Sequence, residues 1–217
     1  MKPETVIRLY RDEDRTEVMR IAADTAFFGA PVEAFFEHRQ TFLDGFYAYF
    51  LDCESSTCWV AQKDNVVIGF LVGSQHADRQ SGYSLIHIYP NMLTGLFRGK
   101  YRLGPKTMRY MFTLVGEAIR GEFPVADLNE YPANLHINVS SQARGMGIGK
   151  SLMNAYHRQL KSLGVSGVHL HTTDQNVAAC AMYEHLGYQL LGARKTRAWF
   201  PLLGQIVENR CYGLKLN

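Results

Sequence analysis

At 217 residues the chain is long enough to bury a sizeable core, and its 47% hydrophobic and 20% charged residues describe an ordinary soluble globular protein that needs no disulfide or metal staple. A formal net charge of +3 is too small to argue for a nucleic-acid partner. No run reaches the length of a membrane span, and Met1–Tyr10 lacks the apolar core of a leader peptide. Cys53, Cys58, Cys180 and Cys211 lack paired zinc spacing. The expectation is a cytoplasmic protein with reduced thiols, no membrane association and no metal.

Taken in order, Val6–Tyr10 reads as a strand and about Asp14–Ala23 as a helix with Val18, Ile21 and Ala22 inward. Asp24–Pro31 is a turn carrying the adjacent aromatics Phe27 and Phe28. Val32 to about Leu51 reads as a second, aromatic-rich helix. Asp24, Glu33, Glu37, Asp44 and Asp52 lie among its rings, so the region packs a core and could also wall a pocket for a cationic amine. Thr57–Lys63 and Val66–Ser74 form a hairpin about Asp64-Asn65. Within residues 88–130, Pro105–Arg120 looks helical. Arg98, Lys100, Arg102, Lys106 and Arg109 form a basic stretch, either a solvated face or a contact for an acidic ligand.

Leu135–Met153 is the most informative stretch. Leu135, Ile137 and Val139 alternate with polar His136 and Asn138, as in a strand with one buried face. After Gly145, Gly147 and Gly149, apolar residues recur every three or four positions up to Gly164, which is a helix. A glycine turn feeding a helix presents free backbone N–H groups beside the positive end of the helix dipole, a setting for phosphate. A triphosphate-binding loop would need glycine where Arg144 stands, and a dinucleotide fingerprint would need glycine at Lys150; both fail. Gly167–Thr172 reads as a parallel strand completing a β-α-β unit. His169 and His171 share its face without a third ligand at metal spacing, so they are expected to be packed or partly exposed. Asp174–Tyr188 reads as a helix that Asp174 can cap and Gly187 ends. Gln189–Thr196 and Ile206–Leu216 then read as antiparallel strands joined by Trp199–Gly204.

Two of these segments resemble motifs of the GNAT N-acetyltransferase superfamily. Arg144-Gly-Met-Gly147-Ile-Gly149 matches its Q/R-x-x-G-x-G/A loop. Asn176, Ala179, Tyr183 and Gly187-Tyr188 match its N-x-x-A-x-x-x-Y-x-x-x-G-Y/F helix. A finer resemblance, carried by residues 24–29, 102–105 and 131–137, is to the acetyltransferase-like domain found alone in bacteria and attached to O-GlcNAcase, a group with an acid where Asn138 stands here. The resemblance implies a single α/β domain over 1–217. Its mixed, mostly antiparallel sheet of about seven strands would have a parallel central pair flanked by helices, with a helical insertion at about 88–130. It implies acetyl-CoA as co-substrate and direct transfer of acetyl to a primary amine of a small molecule or peptide, with a homodimer left open.

By the same resemblance, Ile137, Val139, Arg144, Gly145, Gly147, Gly149, Lys150, Ser151 and Asn176 bind the cofactor. The Val139 N–H stabilises the oxyanion, and Tyr183 protonates the leaving sulfur. No family glutamate stands on the central strand, because Ala133 occupies its place. His136 is the best single choice for the base on its intrinsic pKa, with Asp127, Glu130, Asp24 or Asp44 acting through water as alternatives. A module that binds coenzyme A without transferring the acyl group is the alternative function.

Overall fold

The computed structural model describes residues 5–216; residues 1–4, where the leaderless reading begins, and 217 lie outside the described residues. Alternating apolar residues build a seven-stranded sheet from β1 (Val6–Leu9), β2 (Trp59–Lys63), β3 (Val66–Ser74), β4 (Ala133–Val139), β5 (Gly167–Thr173), β6 (Gln189–Thr196) and β7 (Val207–Lys215). Their order is β1-β2-β3-β4-β5-β7-β6, and only β4 and β5 are parallel. The β2–β3 turn puts both Asp64 and Asn65 at positive φ, the conformation whose twist suits a tight hairpin.

Helices cover both faces. On one side α1 (Arg15–Asp24), α2 (Arg39–Phe46) and α3 (Ala48–Cys53) bury Val18, Ile21 and Phe50 against Phe70 and Val72. On the other, α7 (Ile148–Ser162) buries Leu152, Met153, Tyr156 and Leu160 against Leu71, Leu135 and Leu170. The Tyr156 hydroxyl donates to the Asn134 carbonyl at 2.9 Å, pinning α7 to the sheet. It does so across Gly73, where a Cβ would collide with the ring, so glycine is required there.

The β4–β5 ladder is only two residues long, Ala133 with Val168 and Asn134 with His169; beyond it the strands part. The other edge of β4 stays paired with β3 throughout, and the Ser140 N–H donates to Ile68 on that side. Because donors alternate between the edges of a strand, the amides of Ile137 and Val139 point into the gap.

Tertiary contacts override the sequence reading in three places. Val32–Leu51 is not one helix. A 3-10 turn at Val32–Ala34 is followed by a break, then α2 and α3. The break sends Glu37 to the start of α6 (Pro105–Arg120), where it accepts the N–H groups of Lys106 (2.6 Å) and Thr107 (2.9 Å) and the Thr107 hydroxyl. Helix between β3 and β4 starts at Ala77, ahead of residue 88: α4 (Ala77–Tyr83) runs through a π-helical stretch, Ser84–Ile88, into α5 (Tyr89–Phe97). Lastly, Asp174 does not cap α8 (Val177–His185). Asn176 is the cap residue, and Asp174 instead accepts the Glu208 N–H at 3.0 Å, joining the loop to β7.

Candidate active site

Where β4 and β5 part, a groove and a cavity open side by side. The groove, about 650 Å³, is lined by Ile137, Val139, the glycine turn, Lys150 and the start of α8. The cavity, about 330 Å³, lies under the 25–29 turn and α6. Thr25, Phe28, Gly29, Ile137, Asn138, Asn176 and Tyr183 line both.

The groove is made largely of backbone. Gly145 and Gly147 have φ of +75° and +76°, and a Cβ on either would meet nothing within 4 Å, so both turn their Cα atoms to open space. The first helical hydrogen bond of α7 is Ser151 N–H to the Gly147 carbonyl, leaving the amides of Ile148, Gly149 and Lys150 without helical acceptors. Gly149 serves packing: a Cβ there would lie 3.0 Å from Met182 Sδ of α8. Arg144 is exposed and donates to the Gly29 carbonyl at 3.1 Å, while Lys150 Nζ lies 3.2 Å from His185 Nε2. Ser151 Oγ bonds back to the Gly147 carbonyl. This is a fitting cradle for a pyrophosphate: free amides, a helix N-terminus and two cations around open space. The amides of Ile137 and Val139 continue the row of donors into the gap.

Tyr183 is 5% exposed, and its hydroxyl makes no hydrogen bond among the described residues. Burial, then Cys180, pushes its phenol up, so it carries its proton across the physiological range. Asn138 is fully engaged, donating to Thr25 Oγ1 at 2.7 Å and accepting from the Tyr47 hydroxyl at 3.2 Å. It ties β4 to α1 and α2. His136 lines the cavity beside the Tyr47 and Phe50 rings with part of its side chain open to solvent, and desolvation followed by His169 moves its pKa downward. His169 bonds the Tyr131 carbonyl and His171 the Pro124 carbonyl, both at 2.8 Å. Among the described residues no group of three or more His, Cys, Asp or Glu could hold a metal.

The carboxylates expected near the amine lie elsewhere. Asp24 and Glu33 pair with Arg39, Asp44 with Lys100, and Asp52 with Arg15. Glu37 holds α6, Asp127 accepts from Asn129, and Glu130 pairs with Lys215. None lines the cavity, although the rings of Phe35, Phe42, Phe46 and Tyr47 do. The basic stretch is likewise absent from the groove wall; Lys100 and Lys106 bind Asp44 and the Glu33 carbonyl. The acid that reaches the cavity is Glu117 on α6, 5% exposed, with Thr196 Oγ1 at 2.5 Å and Asn209 Nδ2 at 3.0 Å. The sequence carried a signal for it: Tyr110, Leu114 and Glu117 recur at helical spacing and share a face.

Residues 124–188 match the family model "Acetyltransferase (GNAT) family". A 92-residue stretch is 30% identical to N-acetyltransferase 8B of Rattus norvegicus, covering 40% of this chain and 39% of that protein, so the chain matches less than half of that relative. In solved structures the fold is similar to SsHAT, with a TM-score of 0.75 at 24% identity over 99% of this chain and 100% of that one. It is also similar to the polyamine N acetyltransferase of Drosophila melanogaster, with a TM-score of 0.59 at 18% identity over 98% and 100%. For yncA of Salmonella typhimurium, solved with its cofactor acetyl-CoA, the TM-score is 0.56 at 12% identity over 98% and 94%. The segment match and the shared fold support the GNAT superfamily. No helix among the described residues is long and apolar enough to cross a membrane.

Proposed function

We propose that this chain, with the fold of the GNAT superfamily and a segment that matches its acetyltransferase family, is an acetyl-CoA-dependent N-acetyltransferase acting on a primary amine of a small molecule or peptide. The observation that carries the reading is the meeting of groove and cavity at the β4–β5 gap, where Tyr183, Asn138 and Asn176 belong to both walls. Acetyl transfer needs such a junction, with donor and acceptor entering from two sides and meeting at one carbonyl.

Acetyl-CoA supplies an activated thioester. Arg144, Lys150 and the amides of the glycine turn would hold its pyrophosphate, with Ser151 at the same helix start and Asn176 beside the arm. The amides of Ile137 and Val139 are free to donate along the gap, and the Val139 N–H is assigned to the oxyanion that develops on the carbonyl. Tyr183, kept protonated by burial, is assigned to give its proton to the departing sulfur. Two groups on the cavity wall can take the proton of the amine, Glu117 and His136. Asn138, which stands where the O-GlcNAcase-associated group has an acid, has both ends of its amide occupied and is read as a strut. That finer kinship therefore does not carry its acceptor chemistry into this chain.

The test is thiol release from acetyl-CoA across a panel of alkylamines, arylalkylamines, polyamines and peptides. Turnover with one class supports the enzyme. Coenzyme A binding with no turnover on any amine would instead make the chain a binding module.

A further inference from the structure

The cavity beside the groove has a chemistry that selects its occupant. Four rings make one packed wall: Trp199 has its ring centre 5.2 Å from Phe28, 5.6 Å from Phe35 and 5.3 Å from Tyr110. Among the described residues that line the cavity, Glu117 is the only acid, and there is no lysine or arginine. Its Oε1 accepts both Thr196 and Asn209, while Oε2 has no hydrogen-bond partner among the described residues.

A second polar group is unspent nearby. Thr173 lines the cavity and is 9% exposed, and its buried hydroxyl has no partner. The two belong together. Asn209, which donates to Glu117, sits opposite Thr173 in the β5–β7 register, and the Thr173 carbonyl accepts the N–H of Asn176, a residue shared with the groove. The unpaired carboxylate oxygen and the orphan hydroxyl therefore belong to the β5–β7 side of the cavity. The ring wall runs from Phe28, which also lines the groove, to Tyr110 on α6. Tyr110 lies seven residues before Glu117, two turns or about 10 Å along the axis.

We propose that the cavity is the acceptor subsite for an arylalkyl monoamine. The ammonium sits on Glu117 Oε2 with Thr173 as its second partner, and the ring lies against Trp199, Tyr110 and Phe35; this rests on the N-acetyltransferase reading above. A single buried carboxylate facing an otherwise neutral wall satisfies one cation, and aromatic faces favour the apolar body next to it. A polyamine would bring a second ammonium with no counter-charge, and desolvating it unpaired opposes binding. A volume of about 330 Å³ suits a ligand of roughly ten non-hydrogen atoms, a ring with a chain of two or three carbons.

The experiment uses 2-phenylethylamine, putrescine and a lysine-containing hexapeptide with the full chain. It measures kcat/KM with acetyl-CoA, and separately amine binding by calorimetry with coenzyme A present. 2-Phenylethylamine is expected to exceed putrescine at least about 100-fold in kcat/KM. Glu117→Gln should weaken its binding about 10- to 100-fold while coenzyme A affinity, the check on folding, stays within about twofold. Trp199→Ala should weaken 2-phenylethylamine more than ethylamine. Preference for putrescine or the peptide, with Glu117→Gln leaving amine binding unchanged, overturns the subsite and leaves the transferase standing. Glu117-dependent binding of 2-phenylethylamine without turnover of any amine supports the subsite and removes the transferase. No binding of 2-phenylethylamine to the wild-type chain overturns the proposal outright.

Discussion

The groove and the cavity meet at the same seven residues but are built by different means. The groove draws on β4, the glycine turn, the 25–29 turn and the starts of α7 and α8, and backbone amides supply its donors beside Arg144 and Lys150. The cavity draws on the 25–29 turn, α2, α6, β4, β5, the loop at Trp199 and β7, and its character comes from side chains. Its one carboxylate is held by residues 79 and 92 positions away. Backbone amides presented by a glycine turn tolerate substitution around them, and they serve any ligand with the same pyrophosphate. A wall of side chains gathered from distant segments can change one residue at a time. The arrangement separates a half built of backbone, the groove, from a half built of side chains, the cavity.

Substitutions on each side should break the site along that line. The largest effect belongs to the shared wall: Tyr183→Phe should lower turnover at saturating substrates by roughly 10²- to 10⁴-fold and leave coenzyme A affinity nearly unchanged. An unaltered rate would remove Tyr183 as the acid. Next comes a change confined to the groove. Arg144→Gln should weaken coenzyme A binding about 10- to 100-fold by calorimetry, the usual worth of a hydrogen bond to a charged group, with amine binding kept. Equal losses on both sides would show that its contact with the Gly29 carbonyl also shapes the cavity.

Smaller effects are expected from the supports. In Glu37, desolvation raises the pKa but the hydrogen bonds from Thr107 and Lys106 outweigh it, holding the carboxylate at about 2 against an ordinary 4.5. A carboxylate whose pKa is depressed by folding adds stability above its unfolded pKa and loses it as pH falls toward the folded value. Glu37→Gln should therefore cost about 1 kcal/mol in chemical denaturation at pH 7, typical of a lost helix cap, and the deficit should shrink between pH 4.5 and 2. Cavity function should suffer more than groove function, because the helix so capped carries Tyr110 and Glu117. The smallest effect is expected from His136→Gln: at most a few-fold in rate above pH 7, where an imidazole whose pKa is moved downward is already neutral. An alkaline shift of the whole pH–rate profile would return the role of base to His136.

The same division explains what could be read from the chain alone. The strand, glycine turn and helix of residues 135–163 are contiguous, so period and turn chemistry disclose them. The Asp64-Asn65 hairpin is local for the same reason. Local periodicity could not foresee that the Val32–Leu51 helix breaks so that Glu37 can reach α6 and the Tyr47 hydroxyl can reach Asn138, 91 residues on. Nor could it say which of many acids faces the cavity. Asp24, Glu33, Asp44 and Asp52 looked suitable beside aromatic rings, but arginines and a lysine neutralise them outside the cavity. Glu117 stands on the inward face of α6, a helix whose period is legible but whose partners, Thr196 and Asn209, come from far along the chain.

The two-residue ladder between β4 and β5 also sets a pattern of solvent exchange. Central strands of a seven-stranded sheet ordinarily protect their amide hydrogens longest, since every donor is paired and opening requires global unfolding. Ile137 and Val139 sit in that central position with no strand across from them. Their amide hydrogens thus form a deuterium-accessible island inside an otherwise slow-exchanging sheet, and a ligand lying along the gap would act there as a missing length of strand.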